Sequence, residues 1–550
     1  MTQAPILWVN NLSVTIQART ETVGAVENAT FAVKPGQTLA LVGESGSGKT
    51  MTAMSLVGLA PAGTQVRTSG TAKFMGRDLL TLAEEELRRV RGRQIGIVFQ
   101  DPGASLNPLM TVGSQILEAL GPDFSRHSGR ERVEMLLEEV GLAGIPGIFR
   151  RYPHEVSGGQ QQRMAIAMAL AGDPKLIIAD EPTTALDMTV QAQILDLIRR
   201  VRESRQMALL LITHDLGIVA DMADDVIVMR KGRVVEQGPT SAVLSRPRTD
   251  YTRGLLACRP RIDLPRSAGL QPPVAAGEKP AAGQPILSVR GLSVAYGGRG
   301  LFAPPFVAVD RVSFDVPQRW TIGLVGESGS GKSTIGKALV GLVHMSSGSI
   351  LFDGSPLPDP ARMTRARRAK LQYIFQDSHG ALNPRLTVEQ AVGEAFAISG
   401  YPRRDRRAKV LVLLDEVGLS AKHLERYPSE LSGGQRQRLT IARALALSPK
   451  LLICDEIVSS LDVSVQAQVL NLLKKIQAER GLSLIFISHD LAVVSEICAS
   501  VIVLNAGRII EEGPVDVVFR RPSHTYTNSL LAAGRELEAK LPEQAALETA

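Results

Sequence analysis

Two eight-residue stretches of this chain carry the residue types that bind phosphate. Gly43, Glu44, Ser45, Gly46, Ser47, Gly48, Lys49 and Thr50 read GESGSGKT; Gly326, Glu327, Ser328, Gly329, Ser330, Gly331, Lys332 and Ser333 read GESGSGKS. The glycines let backbone N–H groups close on phosphate oxygens with no Cβ in the way. The lysine reaches the β and γ phosphates, and the hydroxyl of Thr50 or Ser333 is placed to ligate Mg²⁺. One such loop alone could be a glycine-rich turn. Two copies, each followed by the same ordered set of further motifs, point to two bound nucleotides.

Those further motifs also carry chemistry. Asp180-Glu181 and Asp455-Glu456 each follow an apolar run. A carboxylate at a strand end beside the glycine loop can hold Mg²⁺ through water, and the next one can orient an attacking water. Taken singly, each pair reads as a surface acid pair; the repeated spacing favours the catalytic reading. His214 and His489 each lie 33 residues beyond the glutamate, in ITHD and ISHD. A lone histidine is commonly structural, but the repeat favours contact with the γ-phosphate. Ser157, Gly158, Gly159 and Gln160, and again Ser432, Gly433, Gly434 and Gln435, open helical patterns. Either copy alone reads as an ordinary helix cap. A helix start rich in free N–H groups is also an anion site. One nucleotide does not need two such sites from one domain, so the economical reading is that each half offers this site to the other half's nucleotide.

The elements that must position these residues alternate strand and helix. Thr38 to Val42 is an apolar strand before the first loop, with a helix starting near Gly48; Leu176 to Ala179 and Leu209 to Ile212 are further buried strands. Continuous apolar runs suit a mainly parallel sheet covered on both faces, and hence an α/β fold. Between Gln100 and Ser157 the pattern turns helical, with Val133, Leu136, Leu137 and Val140 at i, i+3, i+4, i+7; Val410, Leu413, Leu414 and Val417 repeat it. A core-facing stripe is the simple account of both. Lys49 matches Lys332 at an offset of 283, Gln100 matches Gln376 at 276, and from Ser157 onward the offset is 275. The expected organisation is therefore a first domain over 1–263, a Pro/Ala/Gly-rich linker over 264–284 and a second domain over 285–550. A flexible linker of about 20 residues spans roughly 25 Å and keeps the domains at an effective concentration of order millimolar.

Composition sets the outer limits. The 550 residues exceed one ordinary core. The net charge of +7 is mild over that length, and is compatible with a solvated surface, an anionic membrane face or nucleic acid. The three cysteines, Cys258, Cys454 and Cys498, form no C-x-x-C pair, which argues against zinc and iron–sulfur sites and for a reducing compartment. The start MTQAPILWVNN has no signal-peptide pattern, and no stretch approaches the roughly 20 apolar residues of a membrane span.

Taken together, the motifs resemble those of the ATP-binding cassette (ABC) ATPases over nearly the whole chain. The glycine loops are similar to Walker A, LIIADE and LLICDE to Walker B with its glutamate, and VSGGQ and LSGGQ to the signature. Gln100 and Gln376 resemble Q-loop glutamines, His214 and His489 switch histidines, Asp187 and Asp462 D-loop aspartates. FQDPGASLNP, FQDSHGALNP and the tails GPTSAVLSRPRTDYTRGLLA and GPVDVVFRRPSHTYTNSLLA narrow the resemblance to dipeptide and oligopeptide importer ATPases, in the fused form of glutathione and microcin-type peptide importers.

The resemblance implies ATP and Mg²⁺ as ligands, and ATP sandwiched between the two halves of one chain. One site joins Gly43–Thr50, Gln100, Asp180, Glu181 and His214 to Ser432–Gln435; the other joins Gly326–Ser333, Gln376, Asp455, Glu456 and His489 to Ser157–Gln160. Glu181, Glu456, His214, His489, Gln100 and Gln376 are the implied catalytic groups. Thr50, Asp180 and Gln100, with Ser333, Asp455 and Gln376, are the implied metal-holding groups. It also implies two transmembrane permease subunits as partners, an extracytoplasmic substrate-binding protein acting indirectly, no nucleic acid, and a peripheral place on the cytoplasmic face of the inner membrane. Tyr296 in LSVAYG fits the family's adenine-stacking aromatic, whereas the first half has Ile16; Ile457 stands where the first half has Pro182, and Val156 replaces a leucine. The alternative is a tandem ABC protein acting on ribosomes or DNA. The short, weakly charged linker and the importer-like tails argue against it.

Overall fold

The structure, a computed structural model, describes residues 4–17, 22–61, 63–121, 124, 126–184, 186–262, 284–297, 305–358 and 362–541. Residues 264–283 of the expected linker and the tail beyond 541 lie outside the described residues. The chain divides into two compact units: one takes in the residues up to Arg259 and those from Glu536 on, the other runs from Pro260 to Arg535. The C-terminal segment is docked in part. In the first unit Lys540 pairs with Asp221, and Leu541 packs beside Val42 and Val219.

In the first unit the strands are β1 Leu7–Gln17, β2 Thr22–Val33, β3 Thr38–Val42, β4 Gln65–Phe74, β5 Arg77–Asp78, β6 Ile95–Val98, β7 Leu176–Asp180, β8 Ala208–Ile212, β9 Asp225–Arg230 and β10 Arg233–Pro239. They form two sheets, one ordered β2-β1-β4-β5 and antiparallel, the other β10-β9-β3-β8-β7-β6 and parallel except for its β10 edge. The antiparallel sheet is an addition to the expected architecture. The parallel strands are apolar on both faces because both are covered. Along β7, Leu176 and Ile178 join a core with Leu7 and Phe74, while Ile177 and Ala179 join a second core with Met164 and Ile194.

Between β6 and β7 the chain forms helices Val112–Leu120, Arg126–Glu139 and Gly158–Leu170, the expected helical insert. Val133, Leu136, Leu137 and Val140 are all buried, as the spacing predicts. Each contributes on the order of 1.5–3 kcal/mol of burial, and truncating Leu136 to alanine costs about 2–5 kcal/mol.

The second unit repeats this plan with β11 Leu287–Tyr296, β12 Phe306–Val316, β13 Thr321–Val325, β14 Ser347–Phe352, β15 Ser355–Pro356, β16 Leu371–Ile374, β17 Leu451–Asp455, β18 Ser483–Ile487, β19 Ser500–Asn505 and β20 Arg508–Pro514. The sheet orders are β12-β11-β14-β15 and β16-β17-β18-β13-β19-β20. Val410, Leu413, Leu414 and Val417 are buried in its insert, and Cys454 is buried in β17.

Strand register assembles the site. Ile212 of β8 is level with Leu41 of β3 on one side and Asp180 of β7 on the other. Gly43, Glu181 and Thr213-His214 therefore leave adjacent strand ends together. Ile487 does the same between Leu324 and Asp455. Open α/β sheets bind ligands at such carboxyl ends.

Candidate functional site

The glycine loop follows β3 and ends at the helix Lys49–Leu56, whose N-cap Gly48 has φ of 100°. Gly43 has φ of 147°, and a Cβ there would stand 2.2 Å from the Met229 carbonyl oxygen; Gly326 meets Leu504 in the same way. The loop thus presses its backbone against β9 and leaves its N–H side for a ligand. Lys49 Nζ curls back over the loop, donating to the carbonyls of Gly43 (2.7 Å) and Glu44 (2.9 Å). Lys332 Nζ donates to Gly326 and Glu327, 2.8 Å each. Ser47 Oγ is buried and has no hydrogen-bond partner. A buried orphan hydroxyl beside a glycine cradle fits a phosphate ligand.

Beside each loop a hydroxyl meets a carboxylate. Thr50 Oγ1 donates to Asp180 Oδ1 (3.2 Å), and Ser333 Oγ to Asp455 Oδ1 (2.8 Å). Burial raises the Asp180 carboxyl to about 6 against the opposing pull of the Thr50 bond, and burial raises Asp455 as well. A buried carboxylate held above its usual range calls for a cation. Among the described residues no cluster of three or more His, Cys, Asp or Glu could hold a metal by itself. One carboxylate and one hydroxyl, both oxygen donors, fit Mg²⁺, which takes few protein ligands and fills the remainder with water and phosphate.

The next residue forms a second cluster. Glu181 adopts φ of 47°, left-handed for a residue with a Cβ, and Glu456 matches it at 47°. Such strain of order 1–3 kcal/mol is held only when the surroundings fix it. Here the Glu181 N–H is tied to the Ile212 carbonyl (2.8 Å), and that of Glu456 to Ile487 (2.9 Å). Gln100 Nε2 donates to Glu181 Oε2 (2.8 Å), and His214 Nδ1 lies 3.2 Å from Oε1. Gln376 and His489 surround Glu456 at 2.7 and 3.3 Å. Burial works to raise the Glu181 carboxyl, but the bond and charge of His214, with Thr184, bring it down to about 2. His214 and His489 are raised in turn, because burial is outweighed by the glutamate each faces. Each glutamate and histidine thus favours the charged form of the other.

The signature residues sit elsewhere within each unit, at the start of helices Gly158–Leu170 and Gly433–Leu445. Ser157 is the N-cap: its hydroxyl accepts from Gln160 N (3.4 Å), while Gln160 Oε1 accepts from Ser157 N (3.0 Å). Ser432 and Gln435 repeat this capping box. Gly159 has a packing reason besides: a Cβ would stand 2.5 Å from Val190, as Gly434 would 2.3 Å from Val465. Asp187 and Asp462 cap the helices that follow, through Val190 N and Val465 N. Tyr296 ends β11 opposite Phe306, with both rings exposed, at 42% and 65%.

The sequence reading missed two kinds of residue. The hydroxyl of Tyr251 accepts the Glu44 N–H (3.2 Å), and that of Tyr526 the Glu327 N–H (3.0 Å), so both tails reach the phosphate loops. Their shared offset of 275 was the available signal. Tyr373, in β16, donates its hydroxyl to Asp455 Oδ2; nothing in the first half matches it.

Comparison with known proteins shows the family. A family model described as ABC transporter matches residues 26–184 and 309–459. A second, described as the oligopeptide/dipeptide transporter C-terminal region, matches 235–285 and 510–549. The chain is 43% identical over 556 residues to the glutathione import ATP-binding protein GsiA of Escherichia coli (strain K12), covering 96% of this chain and 89% of that one. It is 44% identical over 555 residues to that of Salmonella typhimurium (strain LT2), with the same coverage. A solved dimer of the ATP-binding cassette MJ0796 with ADP and Pi is 28% identical, covers 42% of this chain and 98% of that one, and has a TM-score of 0.38.

Proposed function

The chain belongs to the ABC transporter family as an ATP-binding subunit of a peptide-class importer, and from that premise we propose how its residues divide the work. The observation that carries the proposal is the glutamate held between glutamine and histidine, formed twice from the same strand ends.

Lys49 and Lys332 turn from loop carbonyls to the β and γ phosphates. Thr50 with Asp180, and Ser333 with Asp455, hold Mg²⁺, with Gln100 and Gln376 beside them. The ion supplies charge neutralisation on the phosphates when bound. Glu181 and Glu456 orient and polarise the attacking water. Their low proton affinity suits orientation and electrostatic help better than full proton removal. His214 and His489 give up the glutamate and turn their charge to the γ-phosphate, leaving the carboxylate free for water. The N–H groups of Ser157–Gln160 and Ser432–Gln435 complete the site of the opposite cassette. Each γ-phosphate so bound favours the closed state by differential contact, and hydrolysis releases it. Tyr296 stacks on adenine in the second cassette.

Among the described residues no helix is long and apolar enough to cross a membrane, which fits a subunit that relies on separate permeases. We assign two of them, contacted on the cytoplasmic face of the inner membrane by the segments after Gln100 and Gln376. In the second unit a cleft of about 190 Å³ lined by Phe375, Glu394, Ile398 and Arg443 offers a surface for a cytoplasmic segment of a permease. The cargo class is peptide, with glutathione within it on the strength of the relatives' name, delivered by an extracytoplasmic binding protein.

The test is a pull-down of the Glu181→Gln, Glu456→Gln chain with ATP from detergent-solubilised cells. Two polytopic permeases are the expected captures. Ribosomes or DNA-repair proteins in their place overturn the importer assignment.

A further inference from the structure

Asp455 accepts a hydrogen bond for which its counterpart Asp180 has no equivalent. Its Oδ1 accepts from Ser333, as Asp180 accepts from Thr50, but its Oδ2 also accepts from the Tyr373 hydroxyl. Tyr373 sits in β16 level with Ile453 of β17, and at that register position of the first cassette stands Ile97, level with Ile178 of β7. An isoleucine offers the carboxylate no hydroxyl.

A second position changes in step. The helix after the phosphate loop carries Ala53 in the first cassette and Gly336 in the second, at the loop's own offset of 283. A Cβ on Gly336 would stand 2.9 Å from Tyr373 Cε2 and 3.0 Å from Ile487 Cδ1. The missing methyl is the space the ring occupies. Isoleucine with alanine fills the first site with apolar packing; tyrosine with glycine fills the second with a ring whose hydroxyl reaches the metal carboxylate. The ring is further set by Phe375, centroid to centroid at 4.8 Å.

We propose that Tyr373 is a positioning residue for Asp455, giving the metal carboxylate of the second cassette an orienting hydrogen bond that the first cassette lacks. The proposal rests on the assignment of Asp455 to Mg²⁺ made above. A hydrogen bond to the far oxygen of a ligating carboxylate fixes which lone pairs face the ion. Losing such an outer partner lowers metal affinity by about 10- to 100-fold. The two ATP sites of this chain are therefore unequal in metal binding although they share every motif.

The test uses Mn²⁺ as a paramagnetic probe with a non-hydrolysable ATP analogue on the full-length chain. Lys49→Ala isolates the second site and Lys332→Ala the first. Tyr373→Phe is expected to raise the apparent Mn²⁺ dissociation constant of the second site about tenfold and to leave the first unchanged. Analogue binding in EDTA stays the same. Ala53→Gly with Ile97→Tyr, placed in the first site, is expected to tighten Mn²⁺ there. Unchanged Mn²⁺ affinity in Tyr373→Phe overturns the proposal. An equal loss of analogue binding in EDTA also overturns it, because the ring would then only be packing. Asp455→Asn separates the premise: if it leaves Mn²⁺ binding intact, the metal assignment itself falls. If it abolishes binding while Tyr373→Phe changes nothing, only the tyrosine's role falls.

Discussion

The two cassettes hold the same glutamate in the same strained backbone and wall it differently. Thr184 Oγ1 donates to the Glu181 carboxylate (2.9 Å), whereas Ser459 at the matching position donates to the Glu456 carbonyl (2.9 Å). Ile97 holds the strand position from which Tyr373 reaches Asp455, and Ile16 stands where Tyr296 ends its strand. The reactive groups are thus duplicated, and some of the residues packed around them are not. Motif identity gives both sites the same reactive groups; their rates and affinities are expected to be set by neighbours that no motif contains.

The largest effect that tests this comparison is at the glutamates. Glu181→Gln with Glu456→Gln is expected to lower steady-state ATP hydrolysis by at least about 100-fold, within the range for loss of a positioned acid–base group. Each single change is expected to leave about half the turnover if the sites fire independently. A single change that abolishes turnover breaks that independence in a phosphate-release assay. Next in size is the adenine contact. Tyr296→Ala is expected to weaken nucleotide binding at the second site by about 1–3 kcal/mol, and Ile16→Tyr to strengthen the first by a smaller amount. Fluorescent-nucleotide titration of the two single-lysine backgrounds reads both; equal effects of Tyr296→Ala on the two sites would show that the ring is not at the base.

Much of this site was legible because its parts are local. A glycine loop between an apolar strand and a helix is written in eight residues, and Asp180-Glu181 ends the strand that delivers it. Even the buried stripe of Val133, Leu136, Leu137 and Val140 follows from helical period alone. The remainder depended on register and long-range packing. Tyr251 lies 207 residues from Glu44 and resembles any tail aromatic until the fold closes. Tyr373 reads as a residue that suits a strand, and only the space left by Gly336 shows where its ring goes. Ser157 and Ser432 cap their own helices, and nothing local in the sequence separates a cap from an anion site at the same helix start. The antiparallel sheet of β1, β2 and β4 left no continuous apolar run, because its faces alternate.

A smaller effect belongs to the staples that fix each tail. Glu236 of β10 is buried and accepts from Arg248 N (2.8 Å), Thr249 N (3.2 Å) and the hydroxyls of Thr249 (3.1 Å) and Thr252 (2.6 Å). Glu511 of β20 accepts from Ser523 N and Oγ (2.8 Å each) and His524 N (3.2 Å). Burial works to raise both carboxyls, but these donors outweigh it and hold them below 4.5. A depressed folded pKa adds stability that is present above the unfolded value and lost as pH falls through the folded one. Glu236→Gln is therefore expected to cost about 1–3 kcal/mol at pH 7, with the penalty shrinking below pH 4.5, in urea melts across that range. Glu511→Gln is expected to cost less, since its carboxylate is less buried.

The smallest effect sharpens the comparison from the other side, because it falls where the cassettes agree. Tyr251 and Tyr526 each take the N–H of the second loop residue, so the importer-type tail holds the phosphate loop in both halves. A neutral hydrogen bond of this kind contributes about 0.5–1.5 kcal/mol. Tyr251→Phe keeps the ring over which Arg230 lies (4.7 Å from its centroid) and removes the hydroxyl that accepts from the loop. The expected result is a two- to fivefold rise in KM for ATP with kcat held, alike for Tyr251→Phe and Tyr526→Phe. A fall in kcat with KM unchanged would instead place the tail's hold on the loop in the step of hydrolysis. Unequal effects of the two changes would mean that the asymmetry of the carboxylate walls extends to the loops themselves.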